Sequence, residues 1–241
     1  MATASDLPCH NRLLSALEPR DYRELALHFE RVQLGHGDVL LEPGAEIRHV
    51  WFPEDCVISL TVLMREGGSS EAATIGREGV VGLVSALGSR QVVSRSVVQL
   101  SGDALRLPLG PLRTAFGANP RFRQLCLCYV EALLAQLLQS SACAALHTVE
   151  ARLCRWLLQL EDRTKDNARL PLTHDFLAEM LGVQRTTITV TAQVLQRAGL
   201  IAYRRGQVTV LDRAGLEEAA CECYADIRQQ YERLLPRPTV R

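Results

Sequence analysis

The sequence predicts an α+β protein: an N-terminal antiparallel β-roll, one long apolar helix, and a C-terminal helix-turn-helix followed by a β-hairpin. Three observations carry that prediction. Short strand-like runs punctuated by glycine fill residues 32–107. A stretch holding a single charge, Glu131, runs from Leu125 to Leu146. Beyond it, HDFLAEMLGVQRTTITVTAQVLQRAGLI (174–201) places Gly182 between two helical periodicities.

Residues 11–31 predict short helices, with Leu13, Leu14, Leu17, Leu25 and Phe29 at helical spacing and Pro19 opening the second. From Val32 onward the runs VQLG, DVLLEPG, HVWFPEDCVISLTVL, EAATIG and SVVQLSGDALRLPLG have the length and turn spacing of strands in a barrel or roll. Pro111 to Phe116 predicts a short helical step. Phe122 to about Ser141 follows as a long helix with two apolar stripes. One comprises Leu125, Tyr129, Leu133 and Leu137; the other Cys126, Val130, Leu134 and Leu138. A helix apolar on two faces must be covered twice. The first stripe is therefore assigned to a coiled-coil-like homodimer interface. Gln124, Gln136, Gln139, Ser140 and Ser141 would be costly in hydrocarbon, so no membrane span is expected.

Val149 to Asp162 predicts an amphipathic helix facing inward with Leu153, Trp156, Leu157 and Leu160, ended by the polar loop RTKDNARLP. At the C-terminus, Asp212 is a candidate N-cap for a single helix from about Ala214 to Leu235, stopped by Pro236.

The segment between them carries the chemistry. Thr173 is a good N-cap; Leu177, Ala178 and Leu181 form an inward stripe; Gly182 permits a left-handed turn plugged by Val183. A second run, from Gln184, turns Ile188, Ala192 and Leu195 inward. This is helix-turn-helix patterning, and a small residue, Ala178, four before the glycine lets the helices cross closely. The block Thr186-Thr187-Ile188-Thr189-Val190-Thr191 would suit a strand. Its propensity cost of a few tenths of a kcal/mol per residue, roughly, is smaller than tertiary packing, so a helix is predicted. Its outward residues, Gln184, Arg185, Thr186, Thr189, Val190 and Gln193, with Arg197 near the end, match base edges in a DNA major groove. Thr187 and the helix N-terminus suit phosphate. From Gln184 to Leu211 there are four arginines and no acid, a local basic surface in a chain whose 27 basic and 27 acidic residues balance. Residues 200–211 predict a hairpin with Arg204, Arg205 and Gly206 at its tip, the wing of a winged helix.

Other chemistry is weaker. Apolar residues make up 47% and charged residues 22%, values of a soluble protein with a real core. MATASDLPCH lacks the basic-then-apolar order of a signal peptide, and a cytoplasmic protein is expected. Without a secretory context the eight cysteines do not predict a disulfide framework, and no CxxC pair is present. Cys221 and Cys223 fall on one predicted helix, where positions two apart diverge by about 200°. Their sulfurs are not expected to grip one metal, Cys223 is assigned to the core, and the same geometry applies to Cys126 and Cys128. Lone histidines (His28, His36, His49, His147) are assigned structural or surface roles, so no metal site is expected. Without a Walker loop, an HExxH or a Ser-His-Asp order, catalysis is not expected.

The order of parts, with EARLCRWLLQLEDR, LTHDFLAEMLGVQRTTITVTAQVLQRAGLI, IRHVWFP and TIGREGVVGL, resembles the cyclic-AMP receptor protein and fumarate–nitrate regulator (CRP/FNR) family of bacterial transcription factors, in a divergent branch. The resemblance implies a cyclic-nucleotide-binding-like roll (a double-stranded β-helix) as sensor over 1–118, a dimerisation helix over 119–148, and a winged helix-turn-helix over 149–241. It further implies a homodimer on a roughly palindromic double-stranded DNA site, with RNA polymerase as a further partner. Arg185 takes the place of an arginine that reads guanine in cyclic-AMP-responsive members; Thr186 and Val190 stand where they carry charged readers. Gly82, Leu83, Arg95 and Ser96 fall in the candidate effector corner. Leu83 replaces the family glutamate that holds the ribose, so cyclic AMP is not expected; a different small effector, or none, is. A redox, metal or haem trigger on cysteines or histidines is the alternative. Only Cys9 lies near the N-terminus, which argues against the iron–sulfur cluster of the oxygen-sensing branch.

Overall fold

The computed structural model describes residues 9–164 and 170–236, so the leader reading of residues 1–8 and positions 165–169 of the polar loop lie outside the described residues. The protein is α+β and divides into two compact units: the described residues of 1–60, 75–135 and 229–241, and those of 61–74 and 136–228.

The first unit opens with α1 (Arg12–Ser15) and α2 (Pro19–Ala26). Asn11 caps α1 with Oδ1, and its Nδ2 donates to Pro53 O (3.1 Å) and Gly79 O (2.9 Å), fixing the helix to the strands. The strands follow as β1 (Glu30–Leu34), β2 (Val39–Leu41), β3 (His49–Pro53), β4 (Val57–Leu63) and β5 (Ser69–Ile75). After α3 (Leu83–Leu87) come β6 (Arg95–Leu100) and β7 (Gly102–Pro108). Two sheets form, ordered β1-β7-β3 and β2-β6-β4-β5. Leu34, Trp51, Ile58, Val81, Val98 and Ala104 make their shared core. The helical signal expected to reach residue 31 stops at Ala26, because Phe29 packs edge-on against Phe52 of β3, 5.7 Å between centroids, rather than continuing the helix.

The unit continues through α4 (Leu109–Ala118) into α5 (Pro120–Leu146), longer than the expected 122–141. By length and composition α5 alone among the described helices would pass for a membrane span. Its amides are instead engaged by protein: Gln136 Nε2 donates to Thr74 O (3.2 Å) and Gln139 Nε2 to Cys223 Sγ (3.1 Å). The stripe assigned to a partner is corrected at two positions. Tyr129 and Leu133 are buried at 0% and 4% exposure in their own chain. The Tyr129 ring lies so close to Gly79 that a Cβ there would come within 2.7 Å of it. Leu125 and Leu137 are half-buried. The apolar row left in solvent is Leu127, Leu134 and Leu138, the last 65% exposed. Two adjacent apolar stripes differ by little in sequence, and the glycine at position 79 leaves room for the Tyr129 ring on the face that packs.

In the second unit come α6 (Val149–Glu161), β8 (Leu170–Pro171), α7 (His174–Leu181) and α8 (Arg185–Arg197). β9 (Ile201–Arg204), β10 (Gln207–Val210), α9 (Arg213–Ala219) and α10 (Cys223–Leu234) complete the chain. Thr148 caps α6 through Ala151 N. Trp156, buried on α6, donates its Nε1–H to Glu71 Oε1 (2.9 Å), which also accepts from Thr74 Oγ1 (2.8 Å), so the outer part of the β4–β5 hairpin packs with the helices. The single C-terminal helix expected from 214 to 235 is two. The chain turns extended at Ala220 (ψ 156°), and helix resumes only at Cys223.

Candidate nucleic-acid interface

Thr173 Oγ1 accepts from Phe176 N (3.2 Å) and opens α7. Gly182 sits in the left-handed region (φ 65°, ψ 40°), and Val183 N reaches back to Ala178 O (3.0 Å), which closes the helix and reverses the chain. α8 then starts at once, burying Ile188, Thr191, Ala192 and Leu195.

The β-branched run is helical, and its hydroxyls help explain how. Thr189 Oγ1 donates to Arg185 O (3.1 Å) and Thr191 Oγ1 to Thr187 O (2.9 Å), each binding the carbonyl one turn back. Thr189 is also 3.0 Å from His174 Nδ1, so its hydroxyl is engaged within the domain and the residue is only half-exposed. Thr187 is likewise half-buried. Gln184, Arg185, Thr186, Val190, Gln193 and Arg197 are exposed along one side of the helix, joined by Val194, which sequence reasoning missed.

Arg185 Nε lies 3.4 Å from Asp175 Oδ1, with both side chains about two-thirds exposed. An exposed pair of this kind is held by about 0–1 kcal/mol and yields readily to a phosphate or a base. β9 and β10 pair in register Gln207↔Arg204 to Val210↔Ile201, with β8 on the other edge of β10. Their turn uses Arg205 (φ 52°) and Gly206 (φ 74°), the two left-handed positions of a tight hairpin, and this projects Arg204 and Arg205 into solvent. The wing is tied back to the helices. Tyr203 N donates to Gln196 Oε1 (3.1 Å), and the Tyr203 ring stacks on His174. His174, also missed in the sequence, is held below the ordinary imidazole range by burial first and then by Arg185.

The effector-corner residues come together in the first unit. Gly82 (φ 86°) caps α3, and a Cβ on it would meet Ile47 Cδ1 at 2.6 Å and Leu41 Cδ1 at 3.2 Å. Leu83 is buried, Ser96 is buried opposite Leu41, and Arg95 is clasped by Glu42 through Nε (3.0 Å) and Nη2 (2.6 Å). In this corner Gly82 is met by apolar side chains and Arg95 by a carboxylate.

The cysteines differ sharply among themselves. Burial pushes the Cys56, Cys126 and Cys154 thiols up to about 12, so they are inert at neutral pH. Cys143 and Cys221 instead lie 3.5 Å apart. Their shared hydrogen bond holds Cys143 down to about 4 and drives Cys221 up. Cys223 and His147 join them. Because the chain breaks at Ala220, Cys221 and Cys223 are not on one continuous helix, and the expected divergence of their sulfurs does not occur.

A folded helix-turn-helix with a basic wing, carried in one chain with an antiparallel roll and a long helix, defines a winged-helix DNA-binding protein. Residues 151–219 match the Crp-like helix-turn-helix domain. The fold is shared with FixK2 from Bradyrhizobium japonicum (TM-score 0.69, 13% identity, covering 80% of this chain and 98% of that one). It is shared also with the c-di-GMP-responsive global regulator CLP of Xanthomonas campestris (0.67, 15%, 81% and 100%). A third relative is TTHA1359, a CRP/FNR-family transcriptional regulator from Thermus thermophilus (0.65, 24%, 79% and 98%). No curated protein sequence matches the chain. The C-terminal segment is thus a Crp-like helix-turn-helix domain, and the chain shares its fold with these solved regulators.

Proposed function

We infer that this protein is a cytoplasmic, homodimeric, sequence-specific transcriptional regulator. It would bind a roughly palindromic DNA site through α8 and act through RNA polymerase, without catalysis of its own. One observation carries the inference: Arg185, Arg197, Arg204 and Arg205 are exposed on the recognition helix and wing, across a stretch with no acidic residue. Base contacts fall to Arg185, Thr186, Val190 and Gln193. Gln184, Thr187 and the wing arginines meet phosphates. The exposed Leu127, Leu134 and Leu138 row supplies the dimer seam, and residues 1–118 act as the sensor.

The roll is assigned a small effector other than cyclic AMP, or none. A buried leucine cannot accept hydrogen bonds from a ribose, and Arg95 is already paired. Selection of genomic fragments on the purified protein tests the reading: an enriched motif with two-fold symmetry is expected. Recovery of fragments sharing no motif would remove the claim of sequence-specific binding.

A further inference from the structure

From the geometry of four side chains, we propose that Cys143, His147, Cys221 and Cys223 form a site for a single thiophilic divalent cation of the zinc class.

The donors converge from two directions. Cys143 and His147 are one turn apart at the end of α5, where His147 N still donates to Cys143 O (3.1 Å), so both side chains leave the same face. Cys221 and Cys223 come from the interruption between α9 and α10. Continuous helix would send them to opposite sides; the extended Ala220 brings both sulfurs onto the α5 pair. All four donor atoms lie within 4.8 Å of one another. Cys143 Sγ is 3.5 Å from Cys221 Sγ, and Cys223 Sγ is 3.5 Å from His147 Nδ1.

These separations select a single ion. With zinc–sulfur bonds of about 2.3 Å and zinc–nitrogen bonds of about 2.0–2.1 Å, neighbouring donors in a tetrahedron lie about 3.5–3.8 Å apart. An iron–sulfur cluster spreads its ligands over two or more irons and needs a wider cage. Three sulfurs and one imidazole are the Cys₃His donor set of structural zinc sites.

The surroundings orient the donors for this task. The three sulfurs are buried, which keeps competing water away. His147 Nε2 is 3.2 Å from the Glu222 carboxylate. A proton on Nε2 donated to Glu222 leaves Nδ1 as the lone-pair nitrogen, the one that faces the sulfurs; this is the carboxylate–histidine arrangement that supports metal ligation. Gln139 Nε2 donates to Cys223 Sγ, a contact that favours thiolate. Binding releases the remaining thiol protons to solvent as the sulfurs become ligands. The ion would join the end of the long helix to the segment after the wing, two elements 74 or more residues apart in sequence that already meet through the Gln139–Cys223 and His147–Glu222 contacts.

Metal analysis of full-length protein purified anaerobically without added chelator should find one zinc per chain. Replacement by Co²⁺ should give the intense visible ligand-field bands of a tetrahedral sulfur-rich site, with thiolate charge-transfer absorption. Cys221→Ser should lose the metal, whereas Cys128→Ser, outside the cluster, should keep it. Glu222→Gln should retain one equivalent but bind it about 10–100-fold more weakly in chelator competition. Should Cys221→Ser fail to fold, the wild-type Co²⁺ spectrum and the Glu222→Gln competition still decide. The proposal falls if the wild type carries no metal and yields only the weak spectrum of octahedral Co²⁺. An iron–sulfur chromophore, or a Cys143–Cys221 disulfide in anaerobically purified protein, would overturn it equally.

Discussion

His174 lies face to face with Tyr203, ring centroids 4.2 Å apart and planes 25° apart, so the first residue of α7 is stacked on the first strand of the wing. The same imidazole contacts Thr189 of the recognition helix through Nδ1. One side chain therefore holds together α7, α8 and the wing, the three parts of the proposed DNA-facing surface.

That position makes the surface acid-sensitive. Burial, then the charge of Arg185, lowers the His174 pKa below its ordinary value of about 6.5. Between the two values the unfolded chain holds a proton that the folded chain does not, so stability rises with pH. The contribution is present above about pH 6.5 and is lost as pH falls through the folded pKa. Melting of the wild type and of His174→Gln should be followed from about pH 5 to about pH 8. The wild type should lose stability more steeply on the acid side; parallel curves would show that His174 does not titrate in this way.

Gly182 should resist substitution. Its φ of 65° is a left-handed conformation that costs a side-chain-bearing residue about 1–2 kcal/mol. A new Cβ would also sit 3.1 Å from Ser70 Oγ. Gly182→Ala should lower the melting midpoint by a few degrees and weaken DNA binding, since the turn sets the entry angle of α8. An unchanged midpoint would mean the turn relaxes freely.

Much of this surface is legible in the sequence because it depends on local rules. The Thr173 cap, the Gly182 turn and the inward Ile188, Ala192 and Leu195 are set by residues a few positions apart. Arg205-Gly206 likewise declares its own hairpin. What stays hidden depends on distant partners. The side of α5 that packs makes room for Tyr129 against Gly79, a residue far away in sequence that helical periodicity does not reveal. Cys221 and Cys223 diverge only on an uninterrupted helix, and nothing in GLEEAACECY marks Ala220 as extended, since alanine is an excellent helix former. The break shows itself only where Cys143 and His147 meet it.

Base readout and phosphate binding should separate by mutation. Arg185→Ala should cost about 1–3 kcal/mol, concentrated at one base position of the site. Arg204→Ala with Arg205→Ala should weaken binding to all duplexes alike and reduce the salt slope by about one unit for each phosphate no longer neutralised. Affinities measured across single-base variants of the selected site and across salt concentrations distinguish the two. Uniform weakening on Arg185→Ala would reassign that residue to the backbone.

The two stripes of α5 should also behave oppositely. Leu134 and Leu138 are exposed, whereas Leu133 is buried in its own chain. Leu133→Ala removes core volume, and truncations of this kind cost about 2–5 kcal/mol of folding stability. It should lower the melting midpoint yet leave a dimer. Leu134→Lys with Leu138→Lys adds charge to a face that the isolated chain leaves in solvent, so the folded monomer tolerates it. If that face is the seam, like charges repel across the two-fold axis and apolar burial is removed. Sedimentation velocity should then show monomer with near-normal secondary structure, and affinity for a palindromic site should drop more than tenfold because each half-site binds alone. A lysine variant that stays dimeric would place the seam elsewhere on the chain.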